Sequence, residues 1–163
     1  MPTEIRRMTQ EEYDYFYAWS VEHHARELME QSHMPLEKAM KEAGAEFSEM
    51  LPEGLDTPHN HLMTILDCDT KENIGFIWTL HEVTEGRKQS FVCDFAIWEA
   101  YRRKGYAFEA LRQAEKQAAN ANCVESVLFV SDNNIAANAL YQKCSYRVLR
   151  EKGCGKYMIK PLL

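Results

Sequence analysis

Apolar and polar positions recur along this chain in two periods, and the changes between them mark its elements. From Tyr13 the side chains Tyr13, Phe16, Tyr17, Ser20 and His24 follow one another at three- and four-residue steps, which predicts a helix running to about Glu30. Thr9-Gln10-Glu11-Glu12 ahead of it has the form of a capping box, with Thr9 as N-cap and Glu12 three residues on. Glu4 to Met8 reads as a short first strand. Pro35 suits the opening of a second helix, Leu36 to Met50, with Met40, Phe47 and Met50 predicted to face inward. Leu51 to Pro58 holds two prolines, a glycine and an aspartate in eight residues and is a loop by composition.

The period then changes to two. His59 to Asp67 alternates around Leu62, Thr64 and Leu66, and Ile74 to Val83 follows after a turn at Lys71-Glu72-Asn73. Thr84 to Lys88 is the next turn. Phe91 to Trp98 is the most apolar run and is expected at the centre of the sheet. An alanine-rich helix from Ala107 to Ala121, a strand from Ser126 to Val130 and a helix from about Ile135 to Cys144 come next. Strands at Tyr146 to Arg150 and Lys156 to Ile159 close the chain. The order β-α-α-β-β-β-α-β-α-β-β predicts a three-layer α/β/α sandwich around a mixed, mostly antiparallel sheet. No repeat or linker divides residues 1–163, so a single domain is expected.

Composition narrows the function classes. A formal charge of −6 argues against a nucleic-acid or anionic-membrane partner, which would want a basic face, and leans toward cationic partners such as amines. Five scattered cysteines without a CxxC pair read as reduced thiols. With no apolar run behind the first residues and no stretch of membrane-spanning length, the expected location is the cytoplasm.

Ala100-Tyr101-Arg102-Arg103-Lys104-Gly105-Tyr106-Ala107 joins the most apolar strand to a helix. The first turn of a helix leaves its N–H groups unpaired and carries part of a positive charge. Gly105 and Ala107 let a ligand approach the backbone, and three basic side chains add charge, so the stretch suits phosphates.

A second stretch gives the first its meaning. Arg102-x-x-Gly105-x-Ala107 is followed by Asn134-x-x-Ala137-x-x-Leu140-Tyr141. In this order and at this spacing the pair closely resembles the core of the GNAT superfamily of acyl-CoA-dependent N-acetyltransferases, over roughly Ile74 to Ile159. Leu51 to Leu62 looks like one bacterial branch of that superfamily, a branch that does not fix a substrate. Two positions depart from the pattern: Ser145 stands where a glycine is usual after the Leu-Tyr helix, and Glu99 replaces a frequent proline.

The resemblance implies acetyl-CoA as co-substrate. It places the pyrophosphate on backbone N–H groups of Arg103, Lys104, Gly105, Tyr106 and Ala107, beside Arg102. The pantetheine arm is implied along the backbone of Phe95 and Ile97, where the fourth and fifth strands part. Tyr141 is implied as the general acid toward the sulfur; a phenol keeps its proton at neutral pH. Asn134 is a helix cap or a hydrogen bonder to the cofactor. For the base, Asp94 interrupts an apolar strand and is a candidate for base or amine contact, or for a structural ion pair; His81 and Glu82 are its rivals. His59 and His61 share a strand face, but two ligands without a third make no metal site.

The expectation is direct acetyl transfer from acetyl-CoA to a primary amine of a small molecule or peptide. The alternative is a non-catalytic acyl-CoA-binding sensor or partner module of the same fold. The acceptor side is implied within Tyr13 to Thr57, and the C-terminal strands leave room for a homodimer.

Overall fold

A computed structural model describes residues 2–162. The chain forms two compact units, Met8–Pro58 and the remainder, in which the residues up to Arg7 join those from His59 onward.

The Met8–Pro58 unit is a helix pair, α1 (Gln10–Ser32) and α2 (Leu36–Met50). The capping box forms as its sequence implies. Thr9 Oγ1 accepts from Glu12 N–H at 3.1 Å, and Thr9 N–H donates to Glu12 Oε1 at 2.9 Å. The helix ends at His33, which is left-handed at φ 55°. Tyr17 meets Phe47 edge-on at 5.9 Å and shares a 3.0 Å hydrogen bond with Ser48, while His24 bonds Glu46 at 2.6 Å. The inward face of α2 is corrected by the structure: Ala39, Ala43 and Phe47 are buried, and Met40 and Met50 are exposed. Met40 lies at the rim of the buried stripe and Met50 is the last residue of the helix, so neither long side chain is enclosed.

The second unit is built on a seven-stranded sheet, with strands β1 (Thr3–Arg7), β2 (Asn60–Asp67), β3 (Asn73–Thr84), β4 (Arg87–Ile97), β5 (Glu125–Ser131), β6 (Arg147–Lys152) and β7 (Gly155–Pro161). Their order across the sheet is β1-β2-β3-β4-β5-β7-β6, which puts the apolar β4 in the middle. Every neighbouring pair is antiparallel except β4 and β5. That pair is parallel because α3 (Tyr106–Asn120) carries the chain back between them. The β3–β4 hairpin is longer than the apolar run suggested, since Glu85 and Gly86 (φ 53° and 77°) make a tight two-residue turn and β4 begins at Arg87.

One core serves sheet and helices. Tyr106, Ala110, Leu111 and Ala114 of α3, together with Tyr141 of α4 (Ile135–Lys143), pack with Ile65, Ile77, Val92, Leu128 and Met158 of the strands. Burying the leucine, isoleucine, valine and methionine side chains among them contributes roughly 1.5–3 kcal/mol each, which is what holds α3 and α4 in register with the strands they serve.

Candidate functional site

The parallel ladder between β4 and β5 is short. It runs from Gln89↔Glu125 to Val92↔Leu128 and stops, although β4 continues to Ile97 and β5 to Ser131. Beyond Val92 the two strands therefore part, and the stretch of β4 that contains Phe95 and Ile97 loses its neighbour on that side.

A bulge accompanies the parting. Trp78 pairs with Asp94 and Thr79 with Val92, so Cys93 is an extra residue in β4. Bulges re-aim the side chains that follow them, and here the one that follows is Asp94. Its Oδ1 accepts from the Phe95 N–H at 2.9 Å, so that amide is already engaged. Burial, first, and then the charges of Asp94 and Glu82 push the Cys93 thiol well above its ordinary range, which makes it a poor nucleophile.

After β4 the chain makes one short turn, Glu99–Tyr101, and enters the basic loop. Arg103 and Gly105 are both left-handed, at φ 65° and 84°. Gly105 takes this conformation at no cost; Arg103 does not. The result is a loop whose N–H groups, from residue 103 through 108, donate to no acceptor among the described residues. Two aromatic anchors fix it. Tyr106 donates from its hydroxyl to Asp67 Oδ2 at 2.5 Å, and Tyr101 donates to Glu72. Arg102 Nε donates to the Ile97 carbonyl at 2.8 Å and ties the loop to the end of β4. A ring of open amides at a helix start, with a glycine inside it, fits a pyrophosphate.

The fourth part is α4. Asn134 acts as its N-cap, accepting from Ala137 N–H at 3.2 Å. Asn138, which the motif does not mark, donates from Nδ2 to the carbonyls of Ser131 (3.0 Å) and Asn134 (2.8 Å) and so clamps the turn between β5 and α4. Its only signal in the sequence is an asparagine four residues after a capping asparagine.

Tyr141 stands in the last turn of α4. The sheet unit has three buried tyrosines, and two have bonded hydroxyls: Tyr106 with Asp67, and Tyr146 with Ser126 at 2.8 Å. The Tyr141 hydroxyl has no partner among the described residues, although the residue is only 8% exposed. Nor is it one of the fully enclosed unpaired atoms, so its oxygen keeps an opening. Burial, followed by the charge of Asp94 and then Cys144, pushes its pKa up to about 12. Asp94 on β4 and Tyr141 on α4, far apart in sequence, thus share one electrostatic environment.

The rivals of Asp94 lie elsewhere along the strands. His81 pairs with Ser90, where the β4–β5 ladder is still closed, and Glu82 with Gln89 beside it. His81 is buried with its ring 4.0 Å from that of His61, and its backbone N–H donates to His59 O. Among the described residues no group of three or more His, Cys, Asp or Glu is arranged to hold a metal ion.

The model of the acetyltransferase (GNAT) family matches residues 21–146. YycN of Bacillus subtilis, an uncharacterised N-acetyltransferase, is 30% identical over 140 residues, 86% of this chain and 89% of its own. Its crystal structure superposes with a TM-score of 0.82, covering 93% of this chain and 98% of that one at 27% identity. Two more distant folds were solved with coenzyme A. One is PaiA N-acetyltransferase of Thermoplasma acidophilum (TM-score 0.72, 17% identity, 99% of each chain). The other is spermidine N-acetyltransferase of Vibrio cholerae, which also holds spermine (TM-score 0.69, 15% identity, 98% of this chain and 95% of that one).

Proposed function

The chain belongs to the GNAT family of N-acetyltransferases, with acetyl-CoA as co-substrate, and on that footing we propose direct transfer of an acetyl group to a primary aliphatic amine, with Tyr141 as the general acid. The observation that carries this reading is the Tyr141 hydroxyl, without a hydrogen-bond partner among the described residues in a unit whose other buried tyrosines are bonded.

The bound thioester supplies an activated acetyl group; the chain supplies position and protons. The open amides of Arg103 to Ala107 hold the pyrophosphate, with Lys104 and Arg103 adding charge and Arg102 holding the loop against β4. The stretch of β4 at Phe95 and Ile97, which has left the β5 ladder, lies along the pantetheine arm. Asn134 serves by capping α4, so its part in cofactor binding is to set where Tyr141 stands.

Tyr141 then donates to the departing sulfur. With a pKa near 12 it is fully protonated at neutral pH, and the Asp94 charge keeps it so. Asp94 has a second use. An alkylamine with a pKa near 10 is only about one part in a thousand deprotonated at pH 7, and a carboxylate attracts the ammonium and can accept its proton. Cys93 and Cys144 both have raised thiol pKa values, chiefly by burial, which supports transfer without an acyl-enzyme. The family match crosses residue 58, so we read the two units as one acetyltransferase domain.

The test is thiol release from acetyl-CoA against a panel of amines. Turnover with primary alkylamines supports the reading. Coenzyme A binding without thiol release for any amine would favour a sensor module.

A further inference from the structure

Glu115 of α3 accepts from Lys160 Nζ of β7 at 2.8 Å, and the two side chains are only 7% and 18% exposed. A pair enclosed to this degree adds little to stability, because stripping water from both charges offsets their attraction. Its geometric effect is plainer. It pins the Lys160 ammonium 5.8 Å from the centre of the Tyr146 ring, within the range of a cation–π contact. Lys160 also pairs with Ser126 across the β5–β7 ladder, and the Tyr146 hydroxyl donates to Ser126 Oγ at 2.8 Å. Tyr146 is buried, and it is held at its ring by β7 and at its hydroxyl by β5. Burial, then the charge of Glu115, raise its phenol above the ordinary pKa, so the hydroxyl keeps its proton for Ser126.

What Tyr146 holds in turn is Tyr141. The two rings meet edge to face, 5.8 Å between centres and 61° between planes, an arrangement that aromatic pairs prefer. The Tyr146 N–H adds its bond to the Tyr141 carbonyl. Ring contact matters here because the Tyr141 hydroxyl has no hydrogen-bond partner among the described residues. A hydroxyl reserved for a departing sulfur cannot also fix its own ring, so the orientation of that ring has to come from its sides.

We propose that Tyr146 is a positioning residue for acetyl transfer: it sets the direction of the Tyr141 hydroxyl, and the Glu115–Lys160 pair sets Tyr146. This role rests on Tyr141 acting as the acid, and it extends that reading to three residues outside the two sequence motifs. It also gives the buried pair a use, since an arrangement is what such a pair can specify. A misplacement of about 1 Å in a reacting group costs up to about a hundredfold in rate, which sets the scale of the effect.

The experiment measures the first turnover of acetyl-CoA with the best amine of the panel, beside the acetyl-CoA Kd and the melting temperature. Tyr146→Leu, which removes the ring, should slow the first turnover about 10- to 100-fold with the Kd unmoved. Tyr146→Phe, which keeps the ring, should recover most of that rate. In a Tyr141→Phe background, adding Tyr146→Leu should change the rate little, because no acid is left to misplace. A wild-type first turnover in Tyr146→Leu, or a loss that multiplies with that of Tyr141→Phe, would overturn the proposal while leaving the acid reading standing. A wild-type first turnover in Tyr141→Phe would remove the acid reading and the proposal together.

The ion pair is tested by removing both charges, since replacing Lys160 alone would leave a carboxylate buried without its cation. Glu115→Gln combined with Lys160→Met should keep or raise the melting temperature and still slow the first turnover. The same double variant serves where Tyr146→Leu fails to fold. A purely structural pair predicts the reverse, a lower melting temperature with the chemistry unchanged, and that result would overturn the part given to Glu115 and Lys160.

Discussion

The backbone N–H of Tyr146 donates to the carbonyl of Tyr141 at 3.0 Å, and Ser145, just before Tyr146, stands left-handed at φ 71°. With Ser145 N–H donating to Gln142 O at 3.0 Å, the end of α4 closes in a Schellman-type turn whose left-handed position usually belongs to glycine. Serine keeps the geometry and bears the strain. The same carbonyl bond ties the backbone of Tyr141 to the start of β6.

Ser145→Gly should therefore stabilise the protein. Relief of a left-handed non-glycine residue, less the extra freedom glycine has in the unfolded chain, amounts to about 0.5–1 kcal/mol, a rise of a few degrees at this size. Thermal or urea melts decide it; an unchanged or lower midpoint would show that Ser145 is not strained.

Acetyl-CoA should stabilise the fold through the open amides of residues 103–108. At a hundred times its Kd a ligand adds about 2.7 kcal/mol by mass action. Gly105→Val should abolish that rise, because valine neither adopts φ 84° readily nor leaves the backbone accessible. Since that variant also strains the loop, Lys104→Gln is its companion, and should weaken the shift without removing it. A normal shift in Gly105→Val would show that this loop does not hold the phosphates.

Acid should weaken the sheet at the His61–His81 stack before it touches the carboxylates. Burial, then the charges of His61, Lys88 and His59, lower the His81 pKa to about 4, and burial with Lys88 and His59 lowers that of His61. A histidine with an ordinary pKa near 6.5 in the unfolded chain then binds more protons unfolded than folded between about pH 4 and 6.5. Stability accordingly rises with pH across that window and is lost as pH falls through it, by about 1–3 kcal/mol. Melts at pH 7.5 and pH 5 should differ, and His81→Gln should reduce the difference. An identical pH dependence in wild type and variant would remove His81 from the effect.

The element order, the capping box at Thr9 and Glu12, the central place of β4 and the two motifs were all legible in the sequence, because each rests on local period or spacing. What was not legible depends on pairing between strands. No local pattern marks Cys93 as a bulge or shows that the β4–β5 ladder stops at Val92, yet these two facts aim Asp94 and open the strand edge. The roles of Arg102, which folds back on Ile97, and of Asn138, which clamps the turn before α4, likewise follow from contacts that the folded backbone alone creates. Met40 and Met50 show the reverse error: large apolar side chains at helical spacing drew the inward face away from the alanines that form it.

The most direct measurement is the turnover of Tyr141→Phe against acetyl-CoA with the best amine. The substitution keeps the ring in its core and removes a hydroxyl that has no hydrogen-bond partner among the described residues, so stability should hardly change. If the hydroxyl returns a proton to the departing thiolate, kcat should fall about 10²- to 10⁴-fold with the acetyl-CoA Kd nearly unchanged. Pre-steady-state measurement of the first turnover keeps the reading on chemistry and away from product release. A first turnover as fast as that of the wild type, with acetyl-CoA bound normally, would contradict the assignment of Tyr141 as the acid.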